Sequence, residues 1–458
     1  MTVEAIPRWR RVRVALSDTD PWTLLAPLQA DGARLMAWSA PGGRPRFVAI
    51  GALAETRPSG ARRFEDAREW WRAFEGKNTQ TTDLRGTPIK SRAPLCLAGF
   101  AFQADAARTH AWEAWGDGAL CIPEIVIWRD AEGTEATFIV DGQEPDWSAR
   151  MDALQRQLKA WIARAEETPI NPAEGASIVE TGEAQRQWCD DVVSAQTQMA
   201  EGRLQKVVLA RSTAFTPAGA EQFDPLGTAT ALRDRQTRST TFLIRRRDGQ
   251  AFLGSSPEVL VKLQQGQVDT VALAGTRRRG TGAEDSALGE ALMESTKDQT
   301  EHALVVAAIV DALSPHVSQV TLPEVPDLVC HPDVQHLRTG ISARLKEEST
   351  LFDLVAALHP TPAVGGLPRE QAMDWLNANE ALDRGWYAGP IGWITASGEG
   401  EFVVAIRSVL MAPNTAAAFA GCGLIADSVP EDEWEESQLK LQTVRQGLAV
   451  EPRASADR

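Results

Sequence analysis

Apolar and polar positions alternate over much of this chain, and compact turn signals separate the runs. Residues 241–247 and 251–254 flank Asp248-Gly249, a two-residue hairpin signal. The pattern repeats at once with 259–263 and 268–273 around Gln265-Gly266. A second meander is predicted from 390–395, 402–411 and 416–421, separated by Ser397-Gly398-Glu399-Gly400 and Pro413-Asn414. Connections this short require antiparallel pairing. Helical periodicity marks 297–313, 351–358 and 431–447. The first half has the same texture: strands 35–38 and 47–53 around Pro41-Gly42-Gly43, and strands 125–128 and 137–140 around Glu132-Gly133. A helix follows at 151–166, then a Pro/Gly-bearing connector at 168–182. A domain boundary near residue 180 is one reading; the other has both halves feeding strands to one two-sheet domain. No exact internal repeat occurs.

Composition narrows the function classes. The 458 residues are 43% hydrophobic and 24% charged, ordinary for a globular enzyme with a large core. A net charge of −15 disfavours nucleic acid and anionic membranes as partners. It also requires any anionic substrate to find a locally basic pocket. No apolar run reaches the ~18 residues of a membrane span, and the first residues lack a signal-peptide core. The five cysteines (Cys96, Cys121, Cys189, Cys330 and Cys422) are scattered without a C-x-x-C pair, as expected of reduced thiols in a cytoplasmic protein. Fifteen tryptophans against one tyrosine have no explanation at this level.

Candidate chemistry lies mostly beyond residue 200. Lys206 opens the run K-V-V-L-A-R, and Glu258 follows a proline in G-S-S-P-E-V-L-V, a potential base and a potential acid on what read as neighbouring strands. Singly, each has a plain reading: a strand-start lysine with a buried stem, and a strand-edge carboxylate. Asp298 and Glu301 open a helix behind Ser295, an S-x-x-D cap, and Glu433 and Glu436 open the last helix behind Pro430. Acids at these positions complement the helix dipole, so a structural reading stands for both pairs. The i, i+3 spacing nevertheless puts Glu433 and Glu436 on one face, with Lys440 a turn further along. Two converging acid pairs would suit Mg²⁺.

An anion-binding set accompanies them. Ala274-Gly275-Thr276-Arg277-Arg278-Arg279-Gly280 ends a strand in a basic turn that reads equally as a solvated loop. Gly421 and Gly423 in A-G-C-G-L-I allow close backbone approach to a carboxylate. Arg407 lies inside the apolar run F-V-V-A-I-R-S-V-L, where a buried guanidinium needs an anion. Tyr387, the only tyrosine, sits in W-Y-A-G-P-I-G; His336 in V-Q-H-L-R reads as a core histidine. Base, acid, paired carboxylates and an anion pocket are jointly what a water-adding enzyme with an anionic substrate requires.

Taken in order, K-V-V-L-A-R, G-S-S-P-E, L-A-G-T-R-R-R-G, K-D-Q-T-E-H, L-H-P-T-P-A-V-G-G-L-P, W-Y-A-G-P-I-G-W, A-G-C-G-L-I and P-E-D-E-W-E-E resemble the chorismate-utilising enzymes, over about residues 185–450. That family includes the anthranilate, aminodeoxychorismate, isochorismate and salicylate synthases. The resemblance implies an α+β fold: one large domain with two antiparallel sheets and helices packed outside. Residues 1–180 would add strands and helices to that fold, 181–450 would form the chorismate-binding catalytic region, and 451–458 a tail. Three positions sort the branches. Lys206 stands where water-activating members carry their base; Ala274 replaces the nucleophilic lysine of aminodeoxychorismate synthases; Ala363 stands about where pyruvate-releasing members place a threonine. These point to the isochorismate-forming branch, with salicylate formation as the runner-up and a non-catalytic chorismate-binding subunit disfavoured by intact Lys206 and Glu258.

The resemblance also implies roles. Neutral Lys206 would activate water for attack at ring carbon 2, and protonated Glu258 would donate to the departing C4 hydroxyl. Mg²⁺ would be held through Glu301 and Glu436, with Glu433 and Asp298 close by. Tyr387, Arg407, Lys440 and the Gly421 and Gly423 backbone would hold the enolpyruvyl carboxylate, Gly275 and Thr276 the ring carboxylate, with His336 near the ring. No glutaminase partner is expected, since water is the nucleophile. The N-terminal A-W-S-A-P-G-G points towards menaquinone synthesis rather than siderophore synthesis.

Overall fold

The alternating runs assemble into two large antiparallel sheets in a computed structural model describing residues 9–75, 81–82, 88–89, 94–105, 109–167, 175–179, 182–218, 222–330 and 334–450. In the larger sheet Lys206–Pro217 pairs with Thr415–Leu424, followed by Ser408–Ala412, Ala251–Ser256, Thr240–Arg245, Leu35–Ser39, Arg46–Ile50, Ile125–Asp130, Gly133–Asp141 and Trp9–Leu16. The smaller runs Val317–Thr321, Val334–Leu345, Gln267–Arg278, Val259–Gln264, Gly400–Val404, Pro390–Thr395, Pro94–Phe100, Gly118–Ile122 and Ala54–Thr56. Strands from before and after residue 180 meet in both, with Phe242 opposite Trp38 and Trp393 opposite Leu97. The fold is α+β, as expected. The connector 168–182 lies mostly outside the described residues, and the tail 451–458 lies wholly outside them.

One apolar core joins the two sheets; a second lies between the larger sheet and its helices. Trp147–Glu167, Pro225–Arg235 and Pro430–Gly447 cover that outer face, while Thr296–Leu313 and Leu351–Leu358 pack on the smaller sheet. Local chemistry fixes the helix starts. Asp224 caps the Leu226 amide ahead of Pro225, and Thr350 and Asp353 form a reciprocal capping box. Among the described residues no helix is long and apolar enough to cross a membrane, and all five cysteines are free.

Three sequence expectations need correction. The run 402–411 is not one strand: Gly400–Val404 belongs to the smaller sheet and Ser408–Ala412 to the larger. Residues 405–407 carry the chain between them, and Arg407 turns there with φ +52°. Both flanks are buried and apolar, which hides the break from the pattern. Secondly, Lys206 and Glu258 are not on neighbouring strands. Thr415–Leu424 and Ser408–Ala412 lie between Lys206–Pro217 and Ala251–Ser256, and Glu258 sits on a second crossing between the sheets. Thirdly, the strand expected at 268–273 continues through Arg278 past a bulge at Gly275 (φ +68°).

Candidate active site

The two sheet crossings are stitched together. Val404 N donates to Glu258 O at 3.1 Å, and Ser255 N donates to Arg407 O at 3.1 Å. This brings Glu258 and Arg407 to the wall of a cavity of about 360 Å³ between the sheet ends and the starts of Thr296–Leu313 and Pro430–Gly447. Lys206, Gly275, Asp298, Glu301, His336, Ala363, Tyr387, Gly421, Gly423, Glu433, Glu436 and Lys440 line it too. The backbone of Thr276 pairs with His336 across the ladder.

Glu258 is 6% exposed. Burial pushes its carboxyl up to about 7, against the opposing Thr361 hydrogen bond and the charges of Lys206, Arg407 and Lys440. Thr361 Oγ1 donates to its Oε1 at 3.3 Å. Glu258 is therefore a carboxyl able to hold a proton near neutrality, the requirement for a general acid. Lys206 Nζ donates to Glu301 Oε1 at 2.6 Å, and a Cβ on Gly423 would sit 2.9 Å from Lys206 Cε. Glycine at 423 thus leaves room for the lysine. In this structure the lysine is held by the Glu301 carboxylate.

The acidic helix starts form as read. Ser295 Oγ accepts from Asp298 N at 3.2 Å, and Pro430 occupies the first turn of the last helix. Asp298 Oδ2 accepts from Arg277 at 3.2 Å, and Glu436 Oε1 from Lys440 Nζ at 2.7 Å. Burial opposes ionisation of Glu436, but Lys440 outweighs it and holds the carboxyl below its ordinary range. Glu433 goes the other way: burial first and Glu436 second push it up to about 7, with the Ser428 hydroxyl 2.7 Å from its Oε1. Like charges crowded into a buried wall, at two helix N-termini, fit a hard divalent cation with oxygen ligands. Cys422 Sγ lies within 4.8 Å of the Glu433 and Glu436 oxygens, but burial holds that thiol protonated and it donates to Glu433 O. Among the described residues only Cys422, Glu433 and Glu436 bring ligand atoms within 4.8 Å of one another, and with the thiol protonated the two carboxylates suit Mg²⁺ better than a thiophilic metal; Glu301 and Asp298 stand on the other helix start of the same cavity wall.

Cationic and polar groups face this acid wall. Lys440 Nζ also donates to Gly421 O at 2.8 Å, and Tyr387 stacks on Phe419 with centroids 5.1 Å apart. Burial raises the Tyr387 hydroxyl to about 12, so it acts as a neutral donor. His336 Nδ1 lies 3.2 Å from Gly275 O, which makes that nitrogen the protonated one. The sequence reading missed Lys297, Arg277 as an individual residue, and Asp427, Ser428 and Asp432, which all line the cavity. Arg277 was visible inside the basic turn; Asp427 and Ser428 carried no spacing signal.

A family model for chorismate binding enzymes matches residues 4–449. The salicylate biosynthesis isochorismate synthase of Pseudomonas aeruginosa is 37% identical over 450 residues, covering 96% of this chain and 91% of that protein. The isochorismate synthase MenF of Bacillus subtilis is 35% identical over 420 residues, covering 91% and 88%. The solved structure of MenF, the menaquinone-specific isochorismate synthase from Escherichia coli, superposes with a TM-score of 0.77 at 26% identity, covering 97% of this chain and 95% of that one. The chain belongs to the chorismate-binding enzyme family.

Proposed function

We propose that this protein is a Mg²⁺-dependent isochorismate synthase, interconverting chorismate and isochorismate by adding water at C2 and losing the C4 hydroxyl. The observation that carries the reading is a buried Glu258 poised near pH 7 in the same cavity as Lys206 and two acid-bearing helix starts. In this scheme Lys206 takes a proton from water as oxygen bonds to C2. The ring double bond shifts, the C4–O bond breaks, and Glu258 passes its proton to the departing hydroxyl. Base and acid end with exchanged protonation states, so the reverse reaction uses the same pair. Lys206 must leave Glu301 to act as a base, which is possible because Glu301 is among the residues assigned to the cation. Glu301 and Glu436, with Glu433 and Asp298 beside them, would hold Mg²⁺, which when bound neutralises the ring carboxylate. Arg407, Tyr387 and Lys440 with the Gly421 and Gly423 backbone bind the enolpyruvyl carboxylate; Gly275 and Thr276 take the ring end near His336.

Ala363 on the cavity wall offers no hydroxyl to orient pyruvate elimination. Purified protein with chorismate and Mg²⁺ should therefore give isochorismate, approaching the same mixture from either side, with no pyruvate in a lactate-dehydrogenase-coupled assay. Stoichiometric pyruvate would move the chain to salicylate formation. We assign the product to menaquinone synthesis on the likeness to the two MenF proteins. A deletion strain rescued by menaquinone supports this; rescue by salicylate instead, the destination named for the Pseudomonas relative, would overturn it.

A further inference from the structure

Behind the cavity wall, a buried ion pair joins the backbone segments that carry the base and the acid's partner. Gly366–Leu367 pairs with Lys206 and Val207, and Val208 N donates to Gly365 O at 2.9 Å. Where these segments part, Arg384 takes over. Its Nη1 donates to Val364 O at 2.9 Å and its Nη2 to Val208 O at 2.5 Å. Its Nε and Nη2 also reach the two carboxylate oxygens of Glu380 at 2.6 and 2.7 Å. Glu380 in turn accepts from Ala210 N at 2.9 Å, two residues beyond Val208 on the Lys206 strand. The pair's side chains are 3% and 6% exposed. The guanidinium lies 4.2 Å over Phe102, whose carbonyl accepts from His359 Nε2 at 3.0 Å where the Thr361 loop begins. Tyr387 N donates to Arg384 O at 2.9 Å.

We propose that Arg384, oriented by Glu380, is a positioning residue that fixes the Lys206 strand against the loop bearing Thr361 and Ala363, holding base and acid in register for one substrate. This rests on the roles proposed for Lys206 and Glu258. A buried ion pair is seldom retained for stability alone, because well-packed apolar side chains do as well or better. What an apolar pair cannot do is grip two diverging backbones at once. The planar fork meets two carbonyls and both carboxylate oxygens at once, a set of contacts a lysine cannot copy. Thr361 then hands the register on: its hydroxyl donates to Glu258 Oε1, leaving Oε2 as the oxygen free to carry the proton. An error of about 1 Å in such register costs on the order of 100-fold in rate.

The test compares wild type, Arg384→Lys, the apolar double variant Arg384→Met with Glu380→Met, and Thr361→Val. Turnover number, KM and thermal unfolding are measured with Mg²⁺ across the pH range that titrates Glu258. Arg384→Lys keeps a cation beside Glu380, and the double variant removes both charges together, so at least one should fold near normally. Either should lose about 10- to 100-fold in kcat with KM little changed. The alkaline limb of kcat should move upward, as it should in Thr361→Val, because Glu258 has lost a donor favouring its ionised form. Wild-type kcat and an unmoved limb in a folded variant, with only the melting temperature lowered, would overturn the proposal. A wild-type protein that makes no isochorismate would instead refute the function on which it rests.

Discussion

The chain follows the same path twice, and the two passages differ in what stands where it changes sheets. In the first half a hairpin in the larger sheet, Leu35–Ser39 with Arg46–Ile50, crosses to the smaller sheet at 51–53; strand Gly118–Ile122 returns at 123–124 to the hairpin Ile125–Asp130 with Gly133–Asp141. In the second, Thr240–Arg245 with Ala251–Ser256 crosses at 257–258, and Gly400–Val404 returns at 405–407 to Ser408–Ala412 with Thr415–Leu424. Each crossing pair is closed by two backbone bonds, Leu53 N to Ile122 O and Glu124 N to Ile50 O in the first, against Val404 to Glu258 and Ser255 to Arg407 in the second. At the first, Glu124 pairs with Arg150 on a covering helix. At the second, Glu258 and Arg407 face the cavity. Further along these strands the inter-sheet space is filled by rings: Trp38 on Phe47 at 6.3 Å, Phe47 on Trp128 at 5.8 Å, Trp128 on Trp393 at 5.3 Å; at the crossing itself Ala52 and Leu53 line a separate cavity of about 500 Å³. One backbone plan thus serves two ends of the fold, and what differs is the side chains: Ala52 and Leu53 at the first crossing, Glu258 and Arg407 at the second.

Removing the cation's ligands should break that contrast most severely. Glu301→Ala and Glu436→Ala are each expected to reduce isochorismate formation to background while the fold persists, and a chelator should do the same reversibly to wild type. Glu124→Ala, at the other crossing, should leave turnover unchanged. Full activity in excess chelator would contradict the assignment of the acid wall.

Next in size come the base and the acid. Lys206→Ala and Glu258→Gln should each lower kcat by roughly 10²–10⁴-fold, with smaller changes in KM. Near-normal turnover in Lys206→Ala would return that residue to a strand-start lysine with no chemical role.

The ring-filled side should answer in stability instead. Trp128→Ala is expected to cost about 3–5 kcal/mol in denaturant unfolding, with little change in kcat of the folded fraction. A large loss of kcat without loss of stability would show that the two passages are not separable in function.

A subtler effect follows from Glu258. Its carboxyl is raised from 4.5 to about 7, chiefly by burial, with Thr361, Lys206, Arg407 and Lys440 opposing. Between those values the native state holds a proton that the unfolded chain has released, so stability falls as pH rises through the window. Relative to Glu258→Gln, wild type should lose up to roughly 3 kcal/mol from pH 4.5 to 7. Parallel pH–stability curves for the two proteins would show that the carboxyl is not perturbed.

Much of this was legible in the sequence, for physical reasons. Asp248-Gly249 and Gln265-Gly266 forced hairpins, and Ser295 and Pro430 marked helix starts because caps act within one turn. Sheet membership was not legible, since burial on both faces makes 402–411 a continuous apolar run across a crossing. Arg407 at φ +52° gave no warning because glycine is the usual marker of such a turn. The helix Arg63–Glu75 was missed, although Phe64, Ala67, Trp71 and Phe74 have helical spacing. Arg384 and Glu380 pair with each other at i, i+4, but their backbone targets at Val208, Ala210 and Val364 lie far along the chain and left no mark in the sequence. The tryptophan excess, unexplained by composition, resolves in part into core clusters such as Trp112, Trp115 and Trp386.

The central claim is that Lys206 and the crossing residue Glu258, sharing one cavity, add water to one ring carbon and release a hydroxyl from another. Running the reaction in ¹⁸O-labelled water and recording product mass tests it directly. The account predicts one ¹⁸O atom in each isochorismate, abolished along with turnover in Lys206→Ala. Unlabelled isochorismate formed at full rate would contradict it, since the hydroxyl would then have moved within the molecule without water.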